Sequence, residues 1–135
     1  MNKDVHRWFH AIGIDVTEIY GMTEDTGPAT IGVPGNAVES FEKRLKVDSI
    51  KVPSVLNPIG KVGIPIPGTE VKVMEDGELC IKGNHVAQGY FKSEEQTKET
   101  FDADGWLHTG DLAEIDDEGY VKIIGRKKEI LITSA

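Results

Sequence analysis

The chain has 135 residues, 39% of them hydrophobic and 28% charged, the balance of a soluble folded domain and not of a disordered tail. A formal net charge of −8 argues against nucleic acid as the main partner, because neutralising a phosphate backbone needs a basic surface. The single cysteine, Cys80, cannot form an internal disulfide and suits a reducing compartment, and no run approaches the ~20 apolar residues of a membrane-spanning helix. Residues 1–13 do not read as a secretory signal, so the expected location is the cytoplasm.

Val5, Trp8, Phe9 and Ile12 recur at helical spacing and predict a helix over residues 3–12, with Gly13 closing it and Trp8 anchored in a core. Ile14, Val16 and Ile19 then read as a short strand that delivers Tyr20-Gly21 at its end. Residues 26–35, rich in Gly, Pro and Thr, are expected to form an irregular loop. Residues 36–57 stay unassigned as an insertion or linker, in which Phe41 and Leu45 suggest one inward face of a short helix. From Pro58 onward short strands and tight turns are expected, and the run from Gly63 to Gly68 is too proline-rich for a central strand. Glu75-Asp76-Gly77 between two apolar alternations signals a hairpin. Ser93 and Gln96 predict a capping box that opens a short helix. Asp104-Gly105 and Asp117-Glu118-Gly119 mark turns before two further strands, with Trp106 as a second core anchor. The expected class is α+β: a helix and strand, then a small, mostly antiparallel, strand-rich subdomain that curls toward a distorted barrel.

Three runs carry groups suited to chemistry. Tyr20-Gly21-Met22-Thr23-Glu24 combines a flat aromatic ring, a hydroxyl donor and a carboxylate just beyond a strand, where loops commonly build sites. It reads equally as a surface turn. Thr109-Gly110-Asp111 sets a carboxylate beside a glycine; a carboxylate can accept both hydroxyls of a ribose diol, although an isolated Asp here also suits a turn cap. Gly125-Arg126-Lys127-Lys128-Glu129 places three cations in a row, of which Arg can fork onto phosphate or ribose oxygens. Alone it reads as a solvated basic turn. His6 and His10 have zinc-compatible spacing without an evident third ligand, and His108 is expected to pack or face solvent. Cys80, between Leu79 and Ile81 of a predicted strand, shows no sign of a low-pKa thiol.

In this order, these runs resemble the signature set of the AMP-forming acyl-CoA synthetases of the adenylate-forming superfamily. The stretches Ile59-Gly60-Lys61-Val62-Gly63, Gly77-Glu78-Leu79, Gly89-Tyr90-Phe91 and Asp104-Gly105-Trp106-Leu107-His108 add to the likeness, which lapses over residues 36–57. The run from Arg126 to Ser134 looks most like the long-chain fatty-acyl branch. The resemblance implies an enzyme that joins a carboxylic acid to AMP from ATP and then passes the acyl group to coenzyme A. It implies Tyr20 against adenine with Gly21 beside it, Thr23 on the α-phosphate, Glu24 on Mg²⁺, Asp111 on ribose and Arg126 on ribose or phosphate. Thr23 and Glu24 would be the catalytic pair, and Lys128 a hinge.

It further implies that residues 1–35 end an AMP-binding core, residues 58–128 form the strand-rich subdomain, and residues 129–135 begin a C-terminal domain. Neither a Ser/Thr/Gly-rich phosphate loop nor a lysine-bearing domain is found in these residues, so the chain is expected to be an inactive piece of a fatty-acid–CoA ligase, in the cytoplasm or peripheral to a membrane. Its partners would be fatty acid, ATP and CoA through the parent enzyme. An aryl-CoA ligase or other adenylate former is the alternative within enzymes. The alternative outside them is a non-catalytic nucleotide-binding or protein-interaction module that uses an open strand edge.

Overall fold

A computed structural model describes residues 2–33 and 58–129. The expectations for residues 36–57, with Phe41 and Leu45, and for residues 130–135 lie outside the described residues.

Helix α1 (Lys3–Ala11) starts where Asn2 Oδ1 accepts the Asp4 N–H at 2.8 Å, and it ends at Ile12 and Gly13. Its apolar stripe does not bury as expected. Trp8 is 57% exposed, and Val5 and Ile12 are exposed beside it, while His6 is buried. The helix is anchored by a polar contact: His6 Nε2 lies 2.8 Å from the Val16 carbonyl, which can only accept, so Nε2 carries the proton. The zinc-compatible pair is otherwise occupied, since His10 Nε2 sits 3.4 Å from Asp15.

Strand β1 (Ile19–Met22) begins later than expected and contains Tyr20 instead of ending before it; Ile14 to Val16 is not strand. A 3₁₀ turn (Thr23–Asp25) then leads into β2 (Gly27–Ile31), where an irregular loop was expected. The strand forms in spite of Pro28 because the register slips between Tyr20 and Gly21, and Pro28 sits at that irregularity, where a missing N–H costs least. Strand β3 (Ile64–Pro65) is a two-residue edge beside β2, in keeping with its prolines.

Strands β4 (Thr69–Val73) and β5 (Glu78–Gly83) form the expected hairpin. Helix α2 (Glu94–Thr100) starts after Ser93, whose hydroxyl donates to Gln96 Oε1 at 2.9 Å, so the predicted box closes between side chains and not onto the backbone. Strands β6 (Leu107–Ile115) and β7 (Val121–Arg126) complete a four-stranded antiparallel sheet in the order β4-β5-β6-β7, beside the three-stranded sheet β1-β2-β3. Antiparallel sheets, one curled as a half-barrel, with a few helices give the α+β class expected from the sequence. The Val62 N–H bonds the Val121 carbonyl at 2.8 Å and so ties the approach to β3 onto β7.

Two apolar clusters lie between the sheets: Ala29, Ile81 and Leu107 in one, and Leu79, Ala113 and Val121 in the other. Tyr20 and Val71 pack against both, so the Tyr20 ring joins the sheets. Trp106 is half-buried under the Lys72 ammonium, 4.0 Å from the ring centre, and is a flank of the sheet more than a core anchor.

Candidate functional site

The alternation of β6 explains why an acidic residue is buried. Leu107, Thr109, Asp111 and Ala113 point to the interior with period two, so Asp111 lies in the row of core residues. Each oxygen of its carboxylate accepts one bond, from β1 and from β7. The Tyr20 hydroxyl donates to Oδ2 at 2.6 Å, and Arg126 Nε donates to Oδ1 at 2.8 Å from the position directly across the β6–β7 ladder. The Asp111 side chain is 8% exposed and that of Arg126 57%, so the guanidinium reaches from solvent over a covered carboxylate. Burial, and then the bond to Asp111, push the Tyr20 phenol far above its ordinary range, so the hydroxyl stays a donor.

Between Glu78 and Cys80 the β5–β6 register slips. Glu78 pairs with Leu112 and Cys80 with His108, leaving Leu79 opposite Thr109, Gly110 and Asp111. This bulge needs a left-handed residue, and Gly110 supplies it at φ +72°. Its displaced polar groups are satisfied by side chains. The Thr109 hydroxyl donates to the Leu79 carbonyl at 2.7 Å and accepts the Asp111 N–H at 3.1 Å. The Gly110 N–H donates to Glu78 Oε1 at 2.9 Å.

Tyr20, Gly21, Thr23, Thr26, Gly27 and Pro28 are among the residues that line an open groove of roughly 610 Å³. Gly21 allows a close backbone approach, since a Cβ there would run into the Gly27 carbonyl. Thr23 is exposed and Glu24 half-buried on the 3₁₀ turn. Glu24 is braced from the β5–α2 loop: the Tyr90 hydroxyl donates to its Oε1 at 2.6 Å, and the Ala87 N–H to its carbonyl at 2.7 Å. Lys128, exposed, lies two residues beyond Arg126, the last residue of β7.

Several residues that hold this arrangement escaped the sequence reading. Asp25 is fully buried, and its Oδ1 accepts the N–H groups of Met22 and Gly27 at 3.0 and 3.2 Å, tying both ends of the turn. Its signal was an Asp inside a Thr/Gly turn, the usual setting for side-chain-to-backbone bonds. Tyr90 lay in a run noted only for its likeness, and Glu78 was read only as the start of a hairpin strand in another such run. His108 is engaged by Glu78 Oε2 at 3.3 Å, Asp102 at 3.6 Å and Cys80 Sγ at 3.5 Å, where packing or solvent exposure was expected. Burial pushes the Cys80 thiol up to about 11, as expected for an unreactive cysteine.

The sequence pattern of the AMP-binding enzyme family matches residues 1–91. The chain belongs to the AMP-binding enzymes. Among the curated relatives of this AMP-binding segment, the long-chain-fatty-acid–CoA ligase FadD15 of Mycobacterium bovis is 36% identical over 127 residues, covering 94% of this chain and 18% of that protein. The long-chain-fatty-acid–CoA ligase ACSBG2 of Gallus gallus is 34% identical over 139 residues, covering 99% of this chain and 16% of the relative. The chain thus spans no more than 20% of the length of such relatives. The o-succinylbenzoate CoA synthetase of Bacillus subtilis, solved with its acyl-adenylate intermediate, superposes with a TM-score of 0.71 at 26% identity, covering 93% of this chain and 30% of that one. An ATP-bound RpMatB-BxBclM chimera superposes with a TM-score of 0.72 at 33% identity, again over 93% of this chain and 23% of the other. No helix among the described residues is long and apolar enough to cross a membrane.

Proposed function

We propose that the chain is the adenylate-gripping part of a fatty-acid–CoA ligase, which activates a carboxylic acid with ATP to acyl-AMP and passes the acyl group to CoA. The observation that carries the proposal is the constellation of Tyr20, Asp111 and Arg126. An aromatic ring from β1 and a buried carboxylate and an arginine from the adjacent strands β6 and β7 are bonded to one another, and the ring lines an open groove. In this reading the Tyr20 ring lies against adenine, with Gly21 leaving room beside it. Asp111 uses its remaining lone pairs for the ribose hydroxyls, since a carboxylate offers about four acceptor sites and two are occupied here. Arg126 answers ribose or phosphate oxygens, and the exposed Thr23 hydroxyl donates to the α-phosphate.

The donor set also suits Mg²⁺. Tyr90 holds one oxygen of Glu24 and so orients the other, and magnesium typically takes one or two carboxylates alongside phosphates and water. Mg²⁺, when bound, would offset the charge that builds on the phosphoryl oxygens. The chain's own groups bind, orient and donate; none is needed as a proton carrier. Lys128 would serve as the hinge, absorbing backbone rotation.

The fatty-acyl substrate is supported by curated relatives of that name at 34–36% identity, against 26% for the o-succinylbenzoate enzyme, whose aromatic acid keeps the aryl alternative in view. In the enzyme carrying this segment, Asp111→Ala should raise the KM for ATP. The loss is about 1.5–3 kcal/mol for each charged hydrogen bond removed, roughly 10- to 150-fold. An unchanged KM for ATP together with unchanged turnover would sink the assignment.

A further inference from the structure

The Glu78 side chain lies on the opposite face of the sheet from Asp111, yet it holds the bulge on which Asp111 sits. Glu78 is directly across from Leu112, and the strand alternation sets it, Cys80 and His108 on one face while Leu79, Thr109 and Asp111 occupy the other. Its residue is 7% exposed, and both carboxylate oxygens are engaged: Oε1 by the Gly110 N–H, and Oε2 by His108 and by Lys127 Nζ at 3.0 Å. Lys127 also bonds Asp76 at 2.6 Å, so the residue after Arg126 is clamped between two carboxylates.

We propose that Glu78 is a positioning residue for the adenylate: by capping the Gly110 N–H from behind the sheet it sets the direction of the Asp111 carboxylate, while Lys127 and His108 hold Glu78 in place. The inference rests on the reading of Asp111 as a nucleotide contact. Its physical basis is the bulge. With two extra residues opposite Leu79, the Gly110 N–H is taken up by Glu78, which fixes the Thr109–Gly110 peptide from which the chain turns, at φ +72°, into Asp111. Thr109 restrains the Asp111 N–H, and Glu78 restrains the one before it. Charge favours the same arrangement. Burial pushes the Glu78 carboxyl up, but the bonds from Lys127, Gly110 and His108 outweigh it and keep the group ionised below its ordinary range.

The test compares the chain with its Glu78→Ala and Glu78→Gln variants by NMR, first without ligand and then titrated with AMP. Without ligand, Glu78→Ala is expected to speed solvent exchange of the Gly110 amide and to shift the Arg126 Nε–H resonance. AMP binding should weaken about tenfold, the scale of one hydrogen bond to a charged group. Glu78→Gln should restore the protected Gly110 amide and most of the affinity, because an amide oxygen still accepts. If the alanine variant does not fold, Glu78→Asp is read in the same way, its carboxylate being one methylene short of Gly110. A Glu78→Ala variant that lowers thermal stability but leaves the Arg126 resonance and AMP affinity unchanged overturns the proposal, as does glutamine performing no better than alanine. Failure of the unsubstituted chain to bind AMP would instead overturn the nucleotide reading. The ligand-free Gly110 and Arg126 resonances would then decide the role of Glu78 alone.

Discussion

At the scale of single residues, the site is a set of polar groups made rigid by burial. Tyr20 packs its ring against both clusters and lines the groove, while its hydroxyl is committed to Asp111. Cys80 shows the opposite use of burial. Burial pushes the thiol from an ordinary 9.0 up to about 11, so the folded state holds the proton more tightly. Its contribution to stability is therefore complete below pH 9 and is lost as pH rises through 11. Urea unfolding should show an alkaline loss between these limits that is smaller in Cys80→Ala, and native Cys80 should resist iodoacetamide at pH 8; rapid alkylation of the folded chain would contradict this. Tyr20, Asp111 and Arg126 were each singled out from the sequence one by one. Their mutual bonding was not, because Tyr20 and Asp111 are 91 positions apart and only the closed sheet brings them together. Glu78 was illegible for a related reason: its partner Gly110 is set by a register slip that no periodicity announces.

At the scale of elements, turns were read well and strand limits poorly. The Asp-Gly hairpin at residues 75–77 and the glycine turns before β6 and β7 follow from local chemistry, and they appear where expected. Strand β2 was missed because Gly27, Pro28 and Thr30 favour loops by themselves, and only pairing with β1 across an irregular register makes them a strand. Helix α1 was found, but the face that binds the rest of the described residues was not, since a buried histidine and not the apolar stripe fastens it. The closeness of β1 and β2 has a consequence for function. Gly21→Ala would force the strands apart at the Gly27 carbonyl and carry Tyr20 with them. The expected result is a loss of about 1–3 kcal/mol, the usual cost of overpacking, together with weaker AMP binding. Equilibrium unfolding checks the first and an AMP titration the second; a variant of unchanged stability would mean that β1 has room to move.

At the scale of the whole molecule, two apolar clusters pack between two antiparallel sheets, and Tyr20, Asp111 and Arg126 gather where β1, β6 and β7 meet. The family was legible because its signature runs lie on turns and bulges, which need particular residue types. The acyl preference rests on the proposal alone, since the chain spans no more than 20% of the length of the curated relatives. Purified alone, the 135-residue chain is expected to form no acyl-AMP from fatty acid, ATP and Mg²⁺; product that disappears in Glu24→Ala would reverse that view. The central claim is that Tyr20, Asp111 and Arg126 together grip an adenylate. Intermolecular nuclear Overhauser effects between AMP and the chain test it most directly. The account predicts contacts from the adenine H8 to the Tyr20 ring and from the ribose protons to Gly110, both lost in Asp111→Ala. Saturable AMP binding whose contacts fall elsewhere, with Tyr20 and Gly110 silent, would contradict it.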